Sequence, residues 1–367
     1  MNILHITNQL DVGGITSYCL ALGKGLAGKA HKVFIASSGG ELLPRFIASG
    51  IAYIPIPIKT KSEVSPKILR SFFLLKKEIK QNNIQIIHAH SRTTQVLGYL
   101  LSKKTPAHYV STCHGFFKPK LFRSMFGCWG EKVIAISPAV KEHLIKDFKV
   151  KECDIRLINT GIDMERFGLR PTVYGLQSRK ELGLGDEPII GIIGRLSEEK
   201  GHDDLVKAMP QVLKEFPEAK VLIIGEGRTE QKIKKLVKNF KLEKNILFIP
   251  SVQDTAKVLE AIDIFVMPST KEGLGIALME AQASGCAVIG SRVGGIPSLI
   301  KDEENGLLIE PANSSQLAAA ILKLLKDKDK RARLGYNARN FIAREFPLEK
   351  QVLETERVYQ ECLNIAK

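Results

Sequence analysis

Close cysteine pairs are missing from the sequence: Cys19, Cys113, Cys128, Cys153, Cys286 and Cys362 stand far apart, with no C-x-x-C. Isolated thiols in a chain of this length read as reduced residues of a cytosolic protein and exclude a zinc-ribbon or disulfide framework. The amino-terminal MNILHITNQL carries no basic stretch ahead of an apolar one, so no signal peptide is expected. No window approaches the ~20 apolar residues of a membrane span, which leaves peripheral contact as the expected mode of any membrane binding. Aromatic residues are sparse at 7%, with one Trp, yet hydrophobic residues reach 44% and charged ones 25%. That balance excludes disordered, collagen-like and disulfide-scaffold classes. At 367 residues the chain outgrows one ordinary hydrophobic core, so two domains are expected.

Acidic residues are in deficit, and unevenly so. Against 54 Lys and Arg stand 39 Asp and Glu, a formal charge of +15. Residues 1–170 hold 25 basic and 11 acidic side chains, whereas residues 171–367 hold 29 and 28. Nearly all the excess lies in the first half, which is expected to meet something anionic: nucleic acid, an acidic membrane surface or a phosphorylated substrate. No RRM, KH or zinc-finger pattern supports nucleic acid.

Short β-branched runs alternate with amphipathic segments of helical length. They fall at 2–7, 32–36, 51–56, 84–89, 108–112, 133–136 and 155–158, then at 189–193, 219–224, 246–249, 264–267, 287–289 and 306–309. Short apolar runs between helices predict parallel strands buried on both faces. The expected fold class is α/β, with two doubly wound, Rossmann-like domains whose ligands bind beyond the carboxyl ends of the strands. Gly and Pro concentrate in Gly168–Gly175, the expected linker between a domain at 1–170 and a second at 171–347. The last helix, about 348–367, follows Pro347 and either caps the second domain or crosses back onto the first. Two such domains are expected to leave a cleft between their strand ends, a favoured place for a small ligand.

The segment from Met267 to Ala281 is the most informative. A strand ends at Met267, a loop carries Glu272, and Gly273 and Gly275 open a helix. Helix N-termini offer unpaired N–H groups and partial positive charge, and glycines let an anion approach the backbone. Glu280 follows about two turns into the helix. Carboxylates repel phosphate but accept strong hydrogen bonds from neutral hydroxyls. A phosphate site flanked by two hydroxyl-binding groups describes a nucleoside diphosphate linked to a sugar. The run Gly194-Arg195-Leu-Ser-Glu-Glu-Lys200 agrees, because it follows a buried strand with two cations. Arg195 can fork onto phosphate oxygens and Lys200 supplies a movable charge, together an electrophilic clamp for a departing diphosphate. Each residue alone reads as solvated surface; their order at successive strand ends gives the combination its weight.

The Glu272 to Glu280 spacing, Gly194-Arg195 with Lys200, Gly294-Gly-Ile-Pro297 and the amino-terminal Gly13-Gly14-Ile15 together resemble the retaining family 4 glycosyltransferases, in order along essentially the whole chain. The resemblance implies a GT-B fold, with the last helix returning to the first domain. It implies that Glu280 binds the ribose hydroxyls and Glu272 the hydroxyls of the donor sugar. Arg195 and Lys200 would then hold the diphosphate, helped by amides near Leu274 and Gly275. No bound metal or cofactor is implied, since the cations replace one, and no DxD motif follows a strand. Transfer with retention is implied too, by front-side attack with a donor phosphate oxygen taking the acceptor's proton. UDP is the nucleotide that family frequency favours. Two positions depart from the family pattern: Leu274 stands where an aromatic is frequent, and Ser298 follows Gly-Gly-Ile-Pro where Glu is frequent.

In the first half, Asp11-Val-Gly13-Gly14-Ile15 follows the first strand but is not G-x-G-x-x-G, so a dinucleotide fingerprint fails. Its glycines either admit the donor phosphates or the acceptor close to backbone amides, or make a tight turn with positive φ. Histidines gather at two strand ends, His88-Ala-His90-Ser91-Arg92 and Thr112-Cys-His114-Gly115. The H-x-H pair is not expected to bind a metal, on the reading that the two side chains face opposite sides with no third ligand near. By the same resemblance, His114 matches a histidine beside the donor sugar. It would orient a hydroxyl, or stabilise positive charge at the anomeric carbon through its backbone carbonyl. His90 reads as either a substrate contact or a core residue, and Ser91 and Arg92 as candidates to hold an anionic acceptor group. Residues 66–80 and 116–126 mix bulky apolar and basic side chains, which suits anionic lipid headgroups. For 66–80 the bland alternative is the apolar face that every Rossmann helix turns to its sheet. A glycolipid, lipid-linked saccharide or lipopolysaccharide precursor is the acceptor class these segments suggest. Two rival functions stay open here: a GT-B nucleotide-sugar epimerase, and a non-catalytic protein that binds anions or nucleic acid.

Overall fold

All thirteen β-branched runs form strands, within one or two residues of the expected bounds at most ends. The computed structural model describes residues 1–119, 123, 126–167 and 172–365, leaving aside the side chains of 172–176 and 365. It divides into two units, Met1–Gly161 with Leu348–Lys367, and Ile162–Pro347. The first holds β1 (Asn2–Ile6), β2 (Lys32–Ser37), β3 (Ala52–Pro55), β4 (Ile86–Ala89), β5 (His108–Cys113), β6 (Lys132–Ala135) and β7 (Ile155–Leu157). The second holds β8 (Ile189–Ile193), β9 (Lys220–Ile224), β10 (Ile246–Ile249), β11 (Ile264–Met267), β12 (Ala287–Ser291) and β13 (Leu307–Ile309).

Every described strand pairing is parallel, in the orders β3-β2-β1-β4-β5-β6-β7 and β10-β9-β8-β11-β12-β13. In both, the chain works outward from a central strand and then returns to its other side. Neighbouring connections leave in opposite directions there, which opens a crevice at the carboxyl ends of β1 and β4, and of β8 and β11. The strands are mainly apolar because helices cover both faces, with polar exceptions such as His5 on β1, His88 on β4 and Thr112 on β5. Leu4, Ile6, Phe34, Ile87, Leu97 and Tyr109 belong to the core of the first unit. Ile190, Ile192, Val221, Ile223, Val266 and Ile321 belong to that of the second. Each such side chain stabilises its unit by roughly 1.5–3 kcal/mol.

The division between the units comes earlier than the sequence suggests. The Gly161 amide donates to Gln351 Oε1 at 2.7 Å, within the first unit, whereas the Ile162 amide donates to the Phe346 carbonyl at 2.9 Å, within the second. Consecutive residues thus commit to different units, nine positions before the expected boundary. The expected linker, Gly168–Gly175, lies largely outside the described residues. Of the two placements open to the final helix, Leu348–Ile365, it takes the first unit: Arg156 donates to Glu361 at 2.7 Å and Tyr359 hydrogen-bonds with His88 at 2.6 Å. Redrawn on these bounds, the first unit holds 26 basic and 13 acidic residues and the second 28 and 26, so the charge asymmetry persists.

Candidate functional site

In the second unit the switch point between β8 and β11 is lined by glycine loops locked to one another. Past β8, Leu196 is fully buried and its amide donates to the Glu226 carbonyl at 2.9 Å. The loop then tightens into a turn at Glu198–Lys200 and ends on Gly201, whose φ is 71°. A Cβ at Gly201 would collide with the Pro268 carbonyl, so only glycine lets this loop lie against the one after β11. The Thr270 amide completes the seam by donating to the Glu199 carbonyl at 2.8 Å. Across it, the Lys200 ammonium donates to Glu272 Oε2 at 2.5 Å. The Glu272 side chain is 12% exposed and that of Lys200 29%, so the pair sits largely out of water.

Behind Glu272, the Gly295 amide donates to the Glu272 carbonyl at 3.2 Å, and a Cβ at Gly295 would strike the Gly273 carbonyl. Ser298 Oγ donates to the Gly295 carbonyl at 2.6 Å, closing the turn where the family often carries a carboxylate. Gly275, with φ 105°, caps the helix Ile276–Ala283 with no side-chain cap among the described residues. The first-turn amides carry the positive end of the helix dipole. Leu274 is buried and contributes through its backbone. Glu280, on the same helix, is 6% exposed. Burial pushes its carboxyl above the usual range, opposed by the Arg166 guanidinium and the Thr255 hydroxyl. Arg195 is exposed and has no ion-pair partner among the described residues. The structure therefore joins Lys200 to Glu272 beside Gly194, and sets Glu280 among Arg166, Thr255 and Asp254. Sequence reasoning missed His202, beside Lys200. It is 1% exposed, with both ring nitrogens unpartnered among the described residues, and burial pushes it down to about 4.

The first unit treats its switch point differently. Gly13 and Gly14 are exposed at the start of the helix Gly14–Gly28. Gly13 has φ 161°, which is extended backbone, and a Cβ there would meet nothing within 4 Å. Neither residue lies in the left-handed region that a tight-turn reading requires. That alternative is overturned, and what remains is a backbone open to close approach.

The expected divergence of His88 and His90 is also overturned. Residues two apart on a strand share a face, and register pairs His88 with His5 on β1. His5 Nδ1 and His90 Nε2 share a hydrogen bond at 2.9 Å, and His90 Nδ1 and His114 Nε2 another at 3.2 Å. His88 uses both nitrogens on hydroxyls, Tyr359 at 2.6 Å and Thr112 at 2.7 Å. His5, His88 and His90 bring one ligand atom each within 4.8 Å of one another, so a third metal ligand does exist in space. To hold an ion they would have to give up these bonds. His5, His88 and His90 are at most 1% exposed, and burial pushes His5 and His114 down to about 3 and lowers His88 and His90. His90 is thus a core residue in contact with His114, and the ring of Tyr18 meets His114 edge-on with centroids 4.6 Å apart.

Arg92 is corrected as an acceptor ligand. It is 8% exposed, and its guanidinium donates to Glu63 at 3.0 Å, to the Phe126 carbonyl at 2.7 Å and to the Gly127 carbonyl. Ser91 is likewise engaged: its hydroxyl donates to Asn8 and its amide to Thr94 Oγ1 at 2.9 Å, boxing the start of the helix Arg92–Ser102. Both residues hold loops in place.

Among known proteins, the pattern of Glycosyltransferase Family 4 matches residues 12–166, and that of Glycosyl transferases group 1 matches residues 176–341. The N-acetyl-alpha-D-glucosaminyl L-malate synthase of Bacillus anthracis is 28% identical over 98% of this chain and 97% of its own length. The UDP-Gal:alpha-D-GlcNAc-diphosphoundecaprenol alpha-1,3-galactosyltransferase of Escherichia coli is 28% identical over 80% of this chain and 79% of its own. The structure of Anabaena HepE in complex with UDP and glucose has the same fold, with TM-score 0.86 and 20% identity over 98% of this chain and 99% of that one. Two family patterns in tandem, each on a doubly wound sheet, settle the assignment: the chain belongs to the family 4, group 1 glycosyltransferases of the GT-B fold.

Proposed function

We propose that this glycosyltransferase moves a hexose with retention from a nucleoside diphosphate sugar, UDP-linked first among candidates, to an acceptor hydroxyl. The observation that carries the reading is the Lys200–Glu272 pair, held by glycine loops beside a helix mouth at the switch point of the second unit. Lys200 and Arg195 take the diphosphate with the amides near Leu274 and Gly275. Glu272 takes the sugar hydroxyls and Glu280 those of the ribose. Gly13, Gly14 and His114 are the first unit's own candidates for contact with substrate. Bond exchange occurs on one face of the sugar: the acceptor oxygen bonds to the anomeric carbon as the diphosphate leaves, and a diphosphate oxygen takes the acceptor's proton. The cations supply the charge a metal would, so no metal or cofactor is invoked. HepE's complex with UDP and glucose supports a UDP-sugar. A thermal-shift panel of UDP-, GDP- and ADP-sugars tests the donor, and stabilisation by none of them would refute the reading. Sugar interconversion without any acceptor would favour an epimerase instead.

The acceptor we propose is lipid-linked, as in the Escherichia coli relative named for a diphosphoundecaprenol substrate. Among the described residues no helix is long and apolar enough to cross a membrane. The helix Pro66–Gln81 buries Ile68, Ser71, Leu75 and Ile79 and turns Leu69, Phe73 and Leu74 outward, 44–63% exposed. Arg70, Lys76, Lys77 and Lys80 are exposed beside them. An apolar strip edged by cations fits an anionic bilayer surface on the cytoplasmic side. The second candidate segment, 116–126, lies partly outside the described residues. Co-sedimentation with phosphatidylglycerol vesicles but not phosphatidylcholine ones is expected, and Phe73→Glu should abolish it.

A further inference from the structure

Lys200 and Glu272 cannot serve each other and a diphosphate equally well. At 2.5 Å the ammonium already neutralises the carboxylate of a Glu272 side chain that is nearly nine-tenths buried. Bringing a diphosphate to Lys200 while Glu272 keeps its place gathers two anionic groups about one cation, in a setting that screens them poorly. Turning Glu272 away without a donor strands a buried carboxylate, which is costlier still. A sugar attached to the diphosphate removes both penalties, because its hydroxyls donate to Glu272 as its phosphates accept from Lys200.

We propose that the Lys200–Glu272 ion pair is a selectivity latch that distinguishes the intact nucleotide sugar from the spent nucleoside diphosphate. Donor with its sugar opens the latch. Once the sugar has gone to the acceptor, Glu272 loses its hydroxyl partners, recaptures Lys200 and weakens the hold on the diphosphate. The side chain that reads the sugar therefore also hastens product release. His202, buried beside Lys200 and kept neutral, adds no competing charge. This inference rests on the donor-site reading given above.

Isothermal titration of the full chain with UDP and with UDP-glucose, in parallel with GDP and GDP-mannose, tests it. Glu272→Gln removes the anion, keeps the shape and leaves Lys200 free. UDP is expected to bind this variant roughly tenfold tighter than it binds the wild type, while UDP-glucose gains nothing or weakens. The ratio of the two affinities should collapse. Glu272→Ala, checked by an unchanged melting curve, should show the same gain for UDP. Equal changes for UDP and UDP-glucose, or no tightening of UDP in either variant, would overturn the latch. Failure of every nucleotide and nucleotide sugar to bind the wild type would instead overturn the donor-site reading itself.

Discussion

The two units share a strand order and fill its crevice in opposite ways. At the β1–β4 switch point lie neutral imidazoles hydrogen-bonded to one another and to Tyr359, with His5, His88 and His90 almost wholly dry. Between β8 and β11 lie glycine backbones and a charged pair, with side chains 29% and 12% exposed. Topology places a crevice at each switch point, and the residues at the strand ends decide whether it is packed or left open to an anion. The comparison also separates net charge from charge at a site. The basic first unit buries its switch-point groups uncharged, and the near-neutral second unit keeps the candidate clamp.

The largest effect should come from the clamp. Lys200→Ala is expected to lower transfer by roughly a hundred- to a thousandfold in a protein that still folds, with a lowered Tm because Glu272 loses its partner. Near-normal turnover would move the chemistry away from the second unit's crevice.

Acid should discriminate between the units next. His5, His88, His90 and His114 are held neutral in the fold, whereas unfolded imidazoles gain protons below about 6.5. Their contribution is fully present above that pH and is lost as pH falls toward 3, at up to about 1.4 kcal/mol per pH unit for each proton. Trp129 is the single tryptophan and lies in the first unit, while His202 is the single histidine of the second. Urea transitions followed by Trp129 fluorescence should therefore weaken faster between pH 7 and 5 than the remaining far-UV circular dichroism signal. Parallel decline in both signals would erase this contrast.

Gly201→Ala should cost roughly 1–3 kcal/mol, because a Cβ meets the Pro268 carbonyl at a positive φ. Its damage should appear in the dichroism transition and in donor affinity, leaving the Trp129 transition in place. Glu280→Gln should act more gently and in both directions. Burial raises the folded pKa of Glu280, so its cost is absent below the ordinary carboxyl range, grows as pH rises from there to the raised folded pKa and is complete above it. The amide should thus raise Tm at neutral pH, with the gain vanishing in acid, and should weaken nucleotide binding. Gly13→Ala should change stability least, by less than about 0.5 kcal/mol, since its Cβ would meet nothing. A fall in transfer at constant Tm would mark Gly13 as a point of ligand approach, and unchanged transfer would remove it from the site.

Much of this was legible before any coordinates. The thirteen strands follow from β-branched runs of the right length, and two doubly wound sheets follow from their alternation with helices. The glycines around Lys200 and Glu272 are visible as punctuation at strand ends. The H-x-H spacing does place His88 and His90 on one face, because a strand's side-chain period is two, against the expectation that they diverge. Their partner His5 is invisible locally, being 85 residues from His90 in the chain. Arg92 looked available because its acceptors, Glu63 and the carbonyls of Phe126 and Gly127, come from distant loops.

By itself, then, the sequence determined the class of fold, the family and the order of the donor-side groups, since all three rest on short-range patterns: apolar periodicity, glycine placement and motif spacing. Tertiary structure decided the rest. It set the unit boundary between Gly161 and Ile162, docked the final helix through Tyr359 and Glu361, and paired Lys200 with Glu272 across two loops. Those outcomes depend on which distant groups compete for the same donor or acceptor, and a buried polar atom takes the partner that folding brings within 3 Å.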